Sequence, residues 1–284
     1  MFIYQLLCYL TWVLIEKIIV RLFGYLAYRN FARRYFSKVE INLIKDQETK
    51  FTDLGLNRDQ GIAKLNYVLS KIYGKPYSER NGMWSEHLIL FASISESNYK
   101  ISNILEIGTF NGETARILSE LFPFSEIITI DLMFEEILET KMYEYETNEK
   151  KLINSRIRNL ESLPNVKFIE MNSLNLIEFN NSFDLIWIDG DHIYPTASID
   201  IANAVRLLSP NGVGICDDVY TKNTKANIGG RSIASLQTMM AMSKSKLIEY
   251  TLVHKRIGFF FNFPSINKKY LGFIRKNNHI TPLL

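Results

Sequence analysis

The stretch ILEIGTFNGETARIL, residues 104–118, decides the fold. An apolar run ends at Gly108, a second glycine follows at Gly112, and a helical pattern begins at once. The spacing predicts a strand over 103–108, a glycine-bearing turn, and a helix over 113–122. Glycine at such a turn lets the backbone pass close to a ligand, and the helix start offers free N–H groups.

The same alternation continues outward. Strands are expected at 127–131, 166–171, 183–189 and 212–218, with helices at 196–208 and 232–243. The charged, helically spaced stretch 134–160 reads as one or two exposed helices, and Ser209–Gly212 as a turn. Two closing strands, 247–255 and 257–263, are joined tightly and so run antiparallel to each other. The FFF run at 259–261 reads as buried strand. Strands separated by helices argue for an α/β fold: a doubly wound, mostly parallel, seven-stranded sheet with one reversed strand near the end. Before it come helices at 61–73 and 85–97, and a polar connection with short structure over 39–60. The expected organisation is a helical N-terminal extension, 1–60, followed by the sheet domain, 61–284.

The chain has 284 residues, a net charge of +3, and two cysteines without metal-type spacing. The small charge gives no argument for nucleic acid. The cysteines argue against a disulfide framework and fit a reducing, cytoplasmic setting. Residues 2–15, FIYQLLCYLTWVLI, are apolar, and Arg29, Arg33, Arg34 and Lys38 follow. The run is short for a spanning helix. Two readings stay open for 1–38. One is a helix lying in a membrane interface, which would place the chain at an inner membrane face. The other is a helix packed on the body of the protein or on a second copy.

Ligands in open α/β sheets sit outside the carboxyl ends of the strands. Asp131 ends the second strand, where an acid accepts the hydroxyls of a ribose. Glu106 lies within the first strand and, if buried, needs a partner. Thr114 adds a hydroxyl in the first helical turn. WIDGDHIYP, 187–195, ends the fourth strand on Asp189 and places His192 three residues on; Asp217 and Asp218 end the fifth. Neighbouring strands bring these carboxylates together, where unpaired they repel. A divalent cation would remove that cost, and oxygen ligands suit Mg²⁺, Mn²⁺ or Ca²⁺. His192 is placed to take a proton from a substrate hydroxyl.

The spacing E-I-G-T-F-N-G is not the dinucleotide motif. It resembles the first motif of class I S-adenosylmethionine-dependent methyltransferases. The resemblance implies that Gly108 and Gly112 line the loop around the cofactor, and that Asp131 binds its ribose. It also implies that Asn172 and Ser173 lie near its adenine, and that Asp189 stands at its edge as well as at the metal. The acids and histidine resemble the metal-dependent O-methyltransferases of the macrocin, mycinamicin and catechol types. By that resemblance Asp189, Asp217 and Asp218 hold a metal, Mg²⁺ being favoured, and His192 is the base. Asp217 stands where that group is expected to carry Glu. The implied acceptor is a small-molecule or glycan hydroxyl.

Three rivals remain. They are a metal-independent methyltransferase of the same fold, a nicotinamide-dependent oxidoreductase, and a non-catalytic membrane-surface scaffold. Among lesser signals, Met83 and Trp84 in NGMWSEH (81–87) read as a lid or as core, and His87 as helix surface or packing. Lys222, Lys225 and Arg231 fit a substrate loop or a solvated one. Met239, Met240 and Met242 read as core or interface.

Overall fold

The computed structural model describes residues 42–79, 81–132, 149–221, 233–257 and 269–277. The apolar N-terminal stretch, the substrate-loop lysines and Arg231, and the FFF run lie outside these residues. Among the described residues, no helix is long and apolar enough to cross a membrane.

The chain opens with α1 (42–53), α2 (Arg58–Tyr73) and α3 (Glu86–Ser95). The alternating part follows as β1 (Asn103–Ile107), α4 (Glu113–Leu121), β2 (Glu126–Asp131), α5 (Glu149–Leu160), β3 (Val166–Glu170), a 3₁₀ turn (Ser173–Glu178) and β4 (Phe183–Ile188). Next come α6 (Thr196–Leu207), β5 (Leu208–Tyr220), α7 (Ala234–Lys244), β6 (Ile248–His254) and β7 (Lys269–Lys276). The seven strands form one sheet in the order β3-β2-β1-β4-β5-β7-β6. The pairs β1–β2, β1–β4, β2–β3 and β4–β5 are parallel. Only β7 runs against its neighbours, β5 and β6.

Strand periodicity divides the core into two layers. Ile104, Leu185 and Trp187 face α2, α3 and α4, while Leu105, Ile107, Ile186 and Ile188 face α6 and α7. Both faces are covered, which is why the central strands read as apolar runs rather than as polar–apolar alternation. Local signals set the helix ends. Asn57 caps α2 by accepting from the Gln60 N–H, and Gly74 closes it at φ +67°.

Three expectations are corrected. Residues 42–53 are helical rather than a connection, and Phe51, Leu54 and Leu56 enter the core alongside α2 and α3. The strand before the acids begins at Leu208, so 209–212 is strand rather than turn; its register slips opposite Phe183–Leu185. The antiparallel partner of β6 is Lys269–Lys276, while the strand expected at 257–263 lies, from 258 on, outside the described residues. Glycine and charge dilute the apolar pattern of KYLGFIRK, and the more apolar IGFFFNF attracted the assignment instead.

Candidate active site

The carboxyl ends of β1, β2, β4 and β5 meet at one edge of the sheet. Between β1 and α4 the loop turns at Gly108, whose φ is +99°. A Cβ there would lie 2.3 Å from the backbone oxygen of Asp189, so glycine is required by conformation and by space. The Gly108 N–H donates to Ile130 O and the Asp189 N–H to Ile107 O, at 2.9 and 2.8 Å. These bonds tie the glycine loop to the ends of both neighbouring strands. Gly112, at φ +76°, starts α4, and Thr114 sits half-buried in its first turn.

Asp131 is in place at the end of β2, and it is heavily used. Its Oδ2 accepts from Phe110 N–H at 2.7 Å and from Arg156 at 2.9 Å, and its Oδ1 accepts from Leu132 N–H at 2.9 Å. Arg156, on α5, also donates through Nε to Phe110 O at 2.6 Å and lies over the Phe168 ring. The result is a clamp that holds the glycine loop against β2. Burial raises the Asp131 carboxyl from its ordinary range, and the Arg156 charge works against that rise.

Glu106 lies beneath the loop, fully buried. Its Oε2 accepts from the Thr129 hydroxyl at 2.5 Å, and Thr129 also meets Thr109 Oγ1. Its Oε1 has no partner among the described residues, and burial pushes the carboxyl up to about 8. After β3, Asn172 caps the 3₁₀ turn by accepting from the Leu174 N–H. Ser173 begins that turn. Behind Gly190, Asp200 of α6 is buried 3.1 Å from where a Cβ would stand, and burial lifts it to about 6.

The acids gather as their strand ends foretell, because Ile188 pairs with Cys216 and so sets Asp189 beside Asp217. Asp189, His192 and Asp217 each bring a ligand atom to within 4.8 Å of the others. His192 Nε2 lies 3.7 Å from Asp189 Oδ1. Desolvation and the Asp217 charge raise the Asp189 carboxyl well above its usual range. Burial would raise Asp217 too, but the ammonium of Lys255 prevails and holds it well below that range. Asp217 Oδ1 is buried and has no partner among the described residues.

Asp218 does not join the group. Its φ is +47°, and the pairing of β5 with β7 shifts register between Cys216 and Val219. Such an irregularity re-aims side chains that would otherwise alternate across the sheet. Asp218 Oδ1 meets Lys255 Nζ and Oδ2 meets Lys269 Nζ, each at 2.5 Å. Lys255 Nζ also meets Asp217 Oδ2 at 2.5 Å.

His87 belongs to this neighbourhood rather than to a helix surface. It is buried, its Nδ1 lies 2.7 Å from Ser85 Oγ, and its ring stacks on Trp187 at 5.0 Å. Burial lowers its imidazole to about 3, which keeps it neutral. Trp84 packs between Tyr73 and Tyr77 and donates to Glu113 at the start of α4, whereas Met83 is exposed. Arg156 and Lys255 had no sequence signal. One lies on a helix that reads as solvated, the other just past a strand with nothing nearby in sequence to pair with.

Residues 105–219 match a family model described as a methyltransferase domain. The match runs from within β1 to near the end of β5, and Glu106, Asp131, Asp189, Asp200, Asp217 and Asp218 all lie inside the matched residues. No curated protein matches the chain. Among solved structures, the chain is similar to the SAH-bound methyltransferase PaMTH1 of Podospora anserina. Identity is 18%, 77% of this chain and 88% of that one are covered, and the TM-score is 0.48. It is also similar to the O-methyltransferase TomG of Streptomyces achromogenes, involved in tomaymycin synthesis and solved in complex with SAM. There the identity is 17%, the coverage 80% and 93%, and the TM-score 0.45. The cofactor-bound Rv0187 from MTB gives 16%, 77% and 89%, and 0.49.

Proposed function

We propose that this protein transfers a methyl group from S-adenosylmethionine to a hydroxyl of a small-molecule or sugar acceptor, assisted by a divalent cation, Mg²⁺ first among candidates. The observation that carries this reading is the convergence of Asp189, His192 and Asp217 beside the glycine loop, inside the stretch that matches a methyltransferase domain.

S-adenosylmethionine supplies an electrophilic methyl group on a positively charged sulfur. Gly108 and Gly112 give the loop after β1 its positive-φ turns, packed closely on Asp189 and Leu160, and that loop with the start of α4, Thr114 included, would cradle the cofactor. Asp131 retains acceptor capacity on Oδ1 for a ribose hydroxyl, since that oxygen carries only the Leu132 N–H. Asn172 and Ser173 border the adenine end.

His192 takes the proton of the acceptor hydroxyl. The oxygen's freed electron pair then forms the bond to the methyl carbon while the carbon–sulfur bond breaks. Displacement of this kind gains chiefly from alignment, which residues fixed at adjacent strand ends provide.

The donor set fits a hard cation in a restricted way. Asp189 and Asp217 would hold it through carboxylate oxygens, Asp217 through its unpartnered Oδ1, with His192 left as base. Mg²⁺ characteristically takes one or two carboxylates and keeps several waters. Such an ion lowers the pKa of a bound hydroxyl. Asp218, with both oxygens on lysines, is not a ligand in this arrangement.

Calorimetric titration with S-adenosylmethionine and S-adenosylhomocysteine, with Mg²⁺ and with EDTA, tests the proposal. Binding to the wild type that is lost in Asp131→Ala supports it. A protein that binds neither cofactor form under any condition is not this enzyme, and the scaffold reading then leads. Residues 1–38 are proposed as a docking segment for either a membrane surface or protein, and vesicle co-sedimentation of the full chain would tell the two apart.

A further inference from the structure

We propose that Lys255 is a resident cation of the acid cluster, and that it sets how tightly the cluster binds a divalent metal ion. The inference rests on the proposed reading only in taking Asp189 and Asp217 as the metal carboxylates.

Three carboxylates at adjoining strand ends need positive charge nearby. From sequence a divalent ion is the natural source, yet the chain carries its own. Lys255 stands one residue past β6, buried, with Nζ 2.5 Å from both Asp217 Oδ2 and Asp218 Oδ1. Lys269, from the start of β7, closes the far side on Asp218 Oδ2. Residues from three strands thus form a chain of alternating charge running from Asp217 to Lys269.

The backbone beneath Lys255 is held on every side. Gln47 of α1 binds both backbone groups of His254, donating to its carbonyl and accepting from its N–H, each at 3.0 Å. The Lys255 N–H donates to Lys269 O, and Lys255 O accepts from Glu86 N–H. Glu86 is itself fixed by two bonds from Arg58. An ammonium anchored so firmly is part of the site's architecture.

The consequence for a metal is specific. Asp218 has no free oxygen, Asp217 has one, and Asp189 supplies the remaining carboxylate. A dication there would share Asp217 with an ammonium on the carboxylate's other oxygen. Like charges that close, away from bulk water, repel strongly. Asp217 also cannot offer both oxygens while Lys255 holds one. Neutralising residue 255 would lift the repulsion and free Asp217 Oδ2, while Lys269 keeps its hold on Asp218.

The test is Mn²⁺ binding followed by electron paramagnetic resonance of the free ion, on the full chain. The proteins are wild type, Lys255→Gln, Lys255→Arg and Asp217→Ala. The expected result is at least tenfold tighter binding in Lys255→Gln, wild-type affinity in Lys255→Arg, and loss in Asp217→Ala. Should Lys255→Gln fail to fold, the double variant Lys255→Gln/Asp218→Asn removes one negative charge along with the positive one and carries the same expectation. Wild-type binding that Asp217→Ala abolishes but Lys255→Gln leaves unchanged or weaker overturns the inference and spares the metal-assisted reading. Binding in Lys255→Gln alone upholds the inference and removes the metal from the proposed reaction. No binding in any variant overturns both.

Discussion

Arg156 Nη2 donates to Asp131 Oδ2 across 2.9 Å, joining α5 to the end of β2 just where the glycine loop passes. Both side chains are nearly inaccessible, and the same guanidinium reaches the Phe110 carbonyl. Breaking a buried pair strands a charge, which costs about 3–5 kcal/mol. Arg156→Met is therefore expected to lower unfolding free energy by about 3 kcal/mol. It is also expected to weaken S-adenosylhomocysteine binding by at least tenfold, because the loop loses its clamp. Chemical denaturation and calorimetry read the two effects separately. A variant with normal affinity would show that the clamp is structural alone.

Glu106 predicts a pH dependence of stability. Its carboxyl is pushed up to about 8 in the fold by burial, from an ordinary value of 4.5. Between those values the native state holds a proton that the unfolded chain has released. Stability therefore falls as pH rises through this window and levels off above about 8. The slope from one such group is at most about 1.4 kcal/mol per pH unit. Glu106→Gln, which stays neutral, is expected to flatten that segment and to be more stable than wild type at pH 9. Urea denaturation at pH 5, 7 and 9 checks it; an unchanged slope in the variant would assign the dependence elsewhere.

Most of the fold was readable because its signals are local. The switch between strand and helix spacing survives in the sequence, and glycines mark the one turn that matters most. The candidate site was readable where strand ends carry acids, as at Asp131, Asp189 and Asp217. What failed depends on contacts between distant residues. Nothing near Asp218 announces that Lys255, just past β6, and Lys269, at the start of β7, occupy both its oxygens. His87 reads as helix surface or packing, and it is the stack on Trp187, a hundred residues away, that decides for packing. The last strand was misplaced because local hydrophobicity favours 257–263, whereas pairing with both β5 and β6 selects 269–276.

Gly108→Ala is expected to cost at least about 2 kcal/mol. A φ of +99° is poorly tolerated by any residue with a Cβ, and strain of this kind is worth about 1–3 kcal/mol. The added methyl would also meet backbone atoms of Asp189 and Gly190, which cannot swing aside as a flexible side chain could. The loop and the end of β4 must then separate, which moves Asp189 away from Asp217. Thermal unfolding should show the loss. Gly74→Ala is the matched control, since its φ is also positive and nothing lies within 4 Å of the added atom. The difference between the two variants isolates the cost of close approach from that of conformation.

His192 carries the last prediction. Its imidazole stands 3.7 Å from Asp189 and is partly open to solvent, so its removal leaves no buried cavity. His192→Ala is expected to unfold as wild type does and to bind S-adenosylhomocysteine within threefold of wild-type affinity. General-base catalysis is worth about 10²–10⁴-fold. Methyl transfer from labelled S-adenosylmethionine, measured with a hydroxyl acceptor identified from a panel, should therefore fall by at least about a hundredfold. Added imidazole should restore part of that rate in His192→Ala but none in Asp217→Ala, because only the former lacks a proton acceptor. A His192→Ala enzyme with undiminished turnover would remove the base from this position.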